Sequence, residues 1–135
     1  MTAAGPGGGA PLNVLLCDDN TLLLDVLCEV VDAEPDMRVV GTATDPGTAI
    51  ELVLRHEPDV VVLDVRFPGG GHRVAREIAR RAPDSRVVAF SAYGDQGSVD
   101  GMKRAGVFAY VLKGVTNREF LDALRRAGHR SDAPR

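Results

Sequence analysis

The chain has 135 residues, 44% of them apolar and 26% charged, with a net charge of −3 and no Trp. That length holds one domain with one core, and the composition is that of an ordinary globular protein. It excludes several classes. No apolar run approaches the roughly 20 residues that span a bilayer, and no basic-then-apolar leader opens the chain. The mild negative charge argues against a nucleic-acid-binding surface as this segment's main business. A cytoplasmic location is expected.

Residues 1–11, Met-Thr followed only by Ala, Gly and Pro, have nothing to bury and read as a disordered tail. Gly7, Gly8 and Gly9 are not a phosphate loop, because no strand precedes them and no Lys-Ser/Thr follows. The domain is expected over 12–128, with 129–135 a polar tail or the start of a linker. A first strand is expected near 13–17. A helix follows, with an apolar stripe of Leu23, Val26, Leu27, Val30 and Val31. The second strand is placed at 38–42. Asp45 then caps a helix with Pro46 at its first position, which buries Ala49, Ile50, Leu52 and Val53. A third strand spans 60–63. The next helix, after Gly71, presents Val74, Ala75, Ile78 and Ala79. A fourth strand covers 86–90. A shorter helix over 96–105 points Val99 and Met102 inward. A fifth strand at 108–112 precedes a helix over 117–127 that buries Phe120, Leu121 and Leu124, with Gly128 as its terminating residue.

Alternating strands and helices predict an α/β fold with a parallel sheet of five βα units, helices on both faces and right-handed crossovers. A flavodoxin-like doubly wound sheet in the order 2-1-3-4-5 forms a three-layer α/β/α sandwich. It puts the first and third strands side by side in the middle, and its site beyond the carboxyl ends of the strands. Four of the apolar runs end in chemistry. Val14–Cys17 runs into Asp18 and Asp19, Val60–Leu63 into Asp64, Val87–Phe90 into Ser91, and Ala109–Leu112 into Lys113. Three carboxylates within ~5 Å repel by about 3 kcal/mol per pair at an effective dielectric of 20. A divalent cation with oxygen ligands relieves that repulsion, and Mg²⁺ suits a few carboxylates, water and a phosphate oxygen. As bland alternatives, the adjacent acids could cap the first helix, and Asp64 could be a turn residue.

The set Asp18-Asp19, Asp64, Ser91 and Lys113, with Pro68 four residues past Asp64 and Tyr110 three before Lys113, resembles the receiver domain of bacterial two-component response regulators. The resemblance covers about 12–127. It implies Asp64 as acceptor of a phosphoryl group from a sensor histidine kinase or phosphotransfer protein. It implies Asp19 as a direct ligand of Mg²⁺ (or Mn²⁺), Asp18 acting largely through water, and the Arg66 backbone carbonyl as a further ligand. Ser91 and Lys113 would contact the phosphoryl oxygens, and Tyr110 would be the switch that turns inward when Ser91 moves. The output would be the face formed by the fourth helix, fifth strand and fifth helix, on which an output domain, a partner or a second copy docks. Neither a membrane nor direct nucleic-acid binding by this segment is implied. The module signals and is not an enzyme in its own right.

The sequence departs from the family pattern in four places. Gly114 follows Lys113 where many receivers have proline. The loop Gly69-Gly70-Gly71 lacks the usual Asp-Gly and reads as flexible. Arg66 and Tyr93 lie two residues past Asp64 and Ser91, positions that tune the phosphoryl lifetime in the family. Two other readings stay open. One is a Mg²⁺-dependent haloacid-dehalogenase-type phosphatase, although its nucleophile follows the first strand in an Asp-x-Asp pair. The other is a receiver-like scaffold that is never phosphorylated. Cys17 and Cys28 have no partner at metal spacing and read as buried, reduced thiols. His56, His72 and His129 read as surface residues. Arg125, Arg126, Arg130 and Arg135 read as a solvated face without interleaved aromatics.

Overall fold

The computed structural model describes residues 10–129. Ten elements alternate through them: β1 Leu12–Cys17, α1 Thr21–Asp32, β2 Met37–Ala43, α2 Pro46–His56, β3 Val60–Asp64, α3 Gly71–Arg81, β4 Arg86–Ser91, α4 Gln96–Arg104, β5 Ala109–Leu112 and α5 Asn117–Gly128. All four strand pairings are parallel, and the sheet runs β2-β1-β3-β4-β5. This is the expected doubly wound order. The predicted tails at 1–11 and 129–135 lie largely outside the described residues.

The strands alternate between two cores with the two-residue period of a pleated sheet. Leu15, Cys17, Val61, Leu63, Val87 and Ala89 face one layer, packed on Ala49 and Val53 of α2, Val74, Ala75 and Ile78 of α3, and Met102 of α4. Val14, Leu16, Val60, Val62, Val88 and Phe90 face the other, against Leu24, Leu27 and Val31 of α1 and Phe120, Leu121, Leu124 and Ala127 of α5. Both faces of β3 are therefore apolar and buried along its whole length. An entirely buried strand at the centre of a twisted sheet holds its terminal residue firmly, and that residue is Asp64.

Several helix starts are set by local chemistry. Asn20 caps α1, its side chain accepting from the Leu23 amide at 3.1 Å. Asp45 caps α2 with Pro46 at the first position, as the sequence predicts. Asp95 caps α4, and Thr116 with Glu119 forms a reciprocal capping box on α5.

Five expectations are corrected. The buried stripe of α1 is Leu24, Leu27 and Val31, with Leu23 and Val30 at its edges and Val26 turned to solvent. Three consecutive leucines, 22–24, leave the phase of the helix undetermined until the sheet selects it. Ala79 of α3 is exposed. Gly128 does not terminate α5 in a left-handed turn but is its last helical residue. A Cβ there would lie 2.6 Å from Leu12, so the glycine serves close packing on β1. Arg125 does not lie on a solvated face. It bonds Glu34 at 2.6 Å and Asp36 at 2.8 Å, tying α5 to the turn after α1. Cys17 is buried, whereas Cys28 is only half-buried; His56, His72 and His129 are exposed, as expected.

Candidate functional site

β1 and β3 are neighbours in register, with Cys17 beside Leu63, so Asp18 and Asp64 leave the sheet one step apart. Carboxylate oxygens of Asp18, Asp19 and Asp64 all lie within 4.8 Å of one another. Asp18 and Asp64 are buried and Asp19 is exposed, giving the group one open side. Because Asn20 caps α1, neither Asp18 nor Asp19 is needed there, and the capping alternative for the acids falls away. Asp18 instead folds back on its own turn, Oδ1 accepting from the Asn20 amide at 2.9 Å.

Lys113 enters from the end of β5. Its amide donates to the Ser91 carbonyl at 2.8 Å, which fixes the chain just past the β4–β5 edge. Its Nζ reaches Asp64 Oδ1 at 3.4 Å, past β4, and Asp18 Oδ2 at 2.9 Å, past β4 and β3. One ammonium thus pairs with two of the three carboxylates. The remaining repulsion is visible at Asp64, whose carboxyl is pushed above its usual range by burial and by Asp18, against the pull of Lys113 and the Arg66 amide. Burial works to lower the Lys113 ammonium, but its bonds to Asp18 and Asp64 outweigh that and hold it above the ordinary lysine range.

Hard oxygen donors in a partly open cluster with surplus negative charge suit a divalent cation such as Mg²⁺. Asp64 sits at its inner wall, with Oδ1 also accepting weakly from the Arg66 amide at 3.3 Å. Ser91 is fully buried at the end of β4, its Oγ accepting from the Tyr93 amide at 3.0 Å. Tyr110 is half-buried against the α2–α4 core, and its hydroxyl donates to the Tyr93 carbonyl. Asp18, Asp19, Asp64 and Lys113 therefore meet in one cluster, while Ser91 and Tyr110 flank it on the β4–α4 side.

The loop after β3, expected to be flexible from its three glycines, takes a backbone path that requires them. Gly69 and Gly70 take φ of +83° and +95°, conformations that an L side chain resists. The Gly70 and Gly71 amides donate to Phe67 and Val65 carbonyls at 2.9 and 3.1 Å. A Cβ on Gly71 would lie 2.5 Å from the Val65 oxygen and 2.7 Å from that of Asp64. The glycines let α3 start directly under the backbone of Asp64. No motif spacing marks this. A second feature unread from the sequence is the Arg66 guanidinium, stacked 4.3 Å from the centre of the Tyr93 ring. Only the fold brings those two residues together.

The family model for the response regulator receiver domain matches residues 14–125. The chain belongs to that family. It is a response regulator receiver domain, and the strand order above is that of the family's fold. The receiver is 30% identical over 117 residues to the transcriptional regulatory protein LiaR of Bacillus subtilis, covering 86% of this chain and 56% of LiaR. It is 34% identical over 119 residues to the DNA-binding transcriptional activator DevR/DosR of Mycobacterium tuberculosis, covering 87% and 54%. The receiver thus spans about half the length of the curated relatives it matches. Among solved structures, the signal receiver domain of the response regulator NarL from M. tuberculosis superposes with a TM-score of 0.85 at 29% identity, covering 90% of this chain and 98% of that one. A LuxR-family response regulator from Aurantimonas gives 0.84 at 26% identity, covering 89% and 86%.

Proposed function

We propose that this receiver takes a phosphoryl group onto Asp64 from the phosphohistidine of a sensor histidine kinase or phosphotransfer protein, with Mg²⁺ in the carboxylate cluster. The observation that carries the reading is the convergence of Asp18, Asp19 and Asp64 with Lys113 at the carboxyl edge of a parallel sheet. Asp19 and Asp64, with the Arg66 carbonyl, are the groups to hold the cation. Asp18, already engaged by Lys113 and the Asn20 amide, takes the outer place. When bound, Mg²⁺ supplies charge neutralisation for the carboxylates and for the incoming phosphoryl oxygens.

An oxygen of Asp64 forms the new bond to phosphorus as the phosphorus–nitrogen bond breaks, and the electron pair leaves on the imidazole. Lys113, within reach of Asp64, pairs with a phosphoryl oxygen, and the Ser91 hydroxyl with another. The side chains contribute by position and charge. The domain in this way takes part in its own phosphorylation and dephosphorylation. Tyr110 follows Ser91 as the aromatic switch, and the surface of α4, β5 and α5 carries the signal to an output domain, a partner or a second copy. The names of LiaR and DevR/DosR make transcription regulation the favoured output. No helix of the described residues is long and apolar enough to cross a membrane; with kinase-driven signalling, this favours a cytoplasmic site of action.

The test is beryllofluoride, which mimics an aspartyl phosphate. With Mg²⁺ it should give a bound fluoride signal in ¹⁹F NMR on the native chain and none on Asp64→Asn. A native chain that binds none, or an Asp64→Asn chain that binds as well, would assign the module to the non-phosphorylated scaffold class.

A further inference from the structure

The side chain of Arg66 is left over from the chemistry above. It leaves the backbone two residues after Asp64, and its amide is already 3.3 Å from Asp64 Oδ1. Yet its guanidinium carbon lies over the Tyr93 ring, 4.3 Å from its centre, in the neighbouring β4–α4 loop. Tyr93 is held at both ends of its peptide, its amide by Ser91 Oγ and its carbonyl by the Tyr110 hydroxyl. The ring, about half exposed, is its free part, and Arg66 is the group that covers it. Two residues further on, Asp95 caps α4, accepting from the Ser98 amide and hydroxyl at 3.0 Å each. Those bonds, helped by the field of Arg66, keep the Asp95 carboxyl below its usual range. One side chain therefore links the phosphoacceptor's loop to the β4–α4 loop.

We propose that Arg66 is a charge-operated latch: parked on Tyr93 in the resting domain, it moves to the phosphoryl group on Asp64 and so releases the β4–α4 loop and the start of α4. The proposal rests on Asp64 being the acceptor. The direction of the move follows from relative strengths. A hydrogen-bonded pair with an anion is worth about two to three times an exposed cation–π contact. The guanidinium fork also matches phosphoryl oxygens bidentately, which a ring face cannot offer. In the resting site Asp64 is already paired with Lys113, and Asp95 is held by Ser98. A phosphoryl group adds oxygens at Asp64 beyond those that Lys113 and a cation pair with, and a guanidinium fork suits them. The latch differs from a tether, because the same side chain cannot stack on Tyr93 and chelate the phosphoryl group together.

The sequence makes the test clean, since the chain has two tyrosines, Tyr93 and Tyr110, and no Trp. Ring resonances of both can be followed by NMR on the full chain while beryllofluoride and Mg²⁺ are added. In the native protein the Tyr93 ring signals should shift toward their positions in ligand-free Arg66→Gln. In Arg66→Gln the Tyr93 ring signals should stay put on the same addition, and fluoride affinity should fall roughly five- to tenfold. Arg66→Lys, which keeps charge without the planar fork, should recover part of the affinity but not the stacked Tyr93 signal. Bound fluoride with Tyr93 unmoved in the native chain overturns the latch alone, as do equal Tyr93 shifts in the native chain and Arg66→Gln. Absence of any bound fluoride overturns the acceptor assignment, and the latch with it.

Discussion

Asp64 and Lys113 place opposite demands on the folded domain. Asp64 is raised by burial and by Asp18, so the folded state prefers its protonated form. Its contribution to stability therefore falls as pH rises from the ordinary carboxylate range through the raised value, and the penalty persists at neutral pH. Lys113 offsets part of an Asp18–Asp64 repulsion of about 3 kcal/mol. Asp64→Asn, melted in chelator at pH 7, should accordingly be more stable than the native chain, on the order of 1 kcal/mol, and the gain should vanish near pH 3. Lys113 has the same pH slope but the opposite charge preference, its ionised form being the one the fold stabilises. Its raised value means that its stabilisation is fully present below the ordinary lysine range and is lost as pH climbs through the folded value. Lys113→Ala leaves Asp18 buried without its partner and should cost about 1–3 kcal/mol in urea unfolding at pH 7.

At the scale of elements, three glycines separate backbone necessity from backbone slack. Gly71 starts α3 against the carbonyls of Asp64 and Val65, where nothing soft can give way. Gly71→Ala should cost about 1–3 kcal/mol and weaken beryllofluoride binding, because the shift falls on the strand end that carries the acceptor. At Gly114 and Gly101 an added methyl carbon would meet nothing within 4 Å. Gly101 sits inside α4, so Gly101→Ala should stabilise by roughly 0.5–1 kcal/mol, read as a higher urea midpoint with an unchanged slope. The same contrast explains what the sequence concealed. A run such as Gly69-Gly70-Gly71 reads as slack until the turn and the close approach that require it are known. The strands were legible because the central runs of β1, β3 and β4 are buried on both faces and so are apolar. The face of α1 was not, because Leu22, Leu23 and Leu24 satisfy several helical phases, and burial then chose Leu24 over Val26.

Across the whole molecule, the carboxyl edge of the sheet was readable from residue order alone, since each functional residue directly follows an apolar run. What joins distant segments sideways was not. Arg66 on Tyr93, and Arg125 on Glu34 and Asp36, pair residues with no sequence spacing in common. The Arg125 tie has a pH signature. Its hydrogen bonds hold the Asp36 carboxyl below its usual range, so that stabilisation is present above the ordinary carboxylate value and is lost as pH falls through the lowered one. Asp36 is nearly half exposed, so solvent screening keeps the contribution modest. Arg125→Met should lower stability at pH 7 by about 1 kcal/mol and show a correspondingly shallower loss on acidification, followed by circular dichroism.

The claim on which the receiver account turns is that one carboxylate, at the end of β3, accepts the phosphoryl group. Intact-mass spectrometry after incubation with acetyl phosphate and Mg²⁺, followed by peptide mapping, reads it directly. The account predicts a single added phosphoryl mass, located on Asp64 and lost when the cation is chelated beforehand. An unmodified chain, or a phosphoryl group mapped to Asp18 or Asp19, would contradict it.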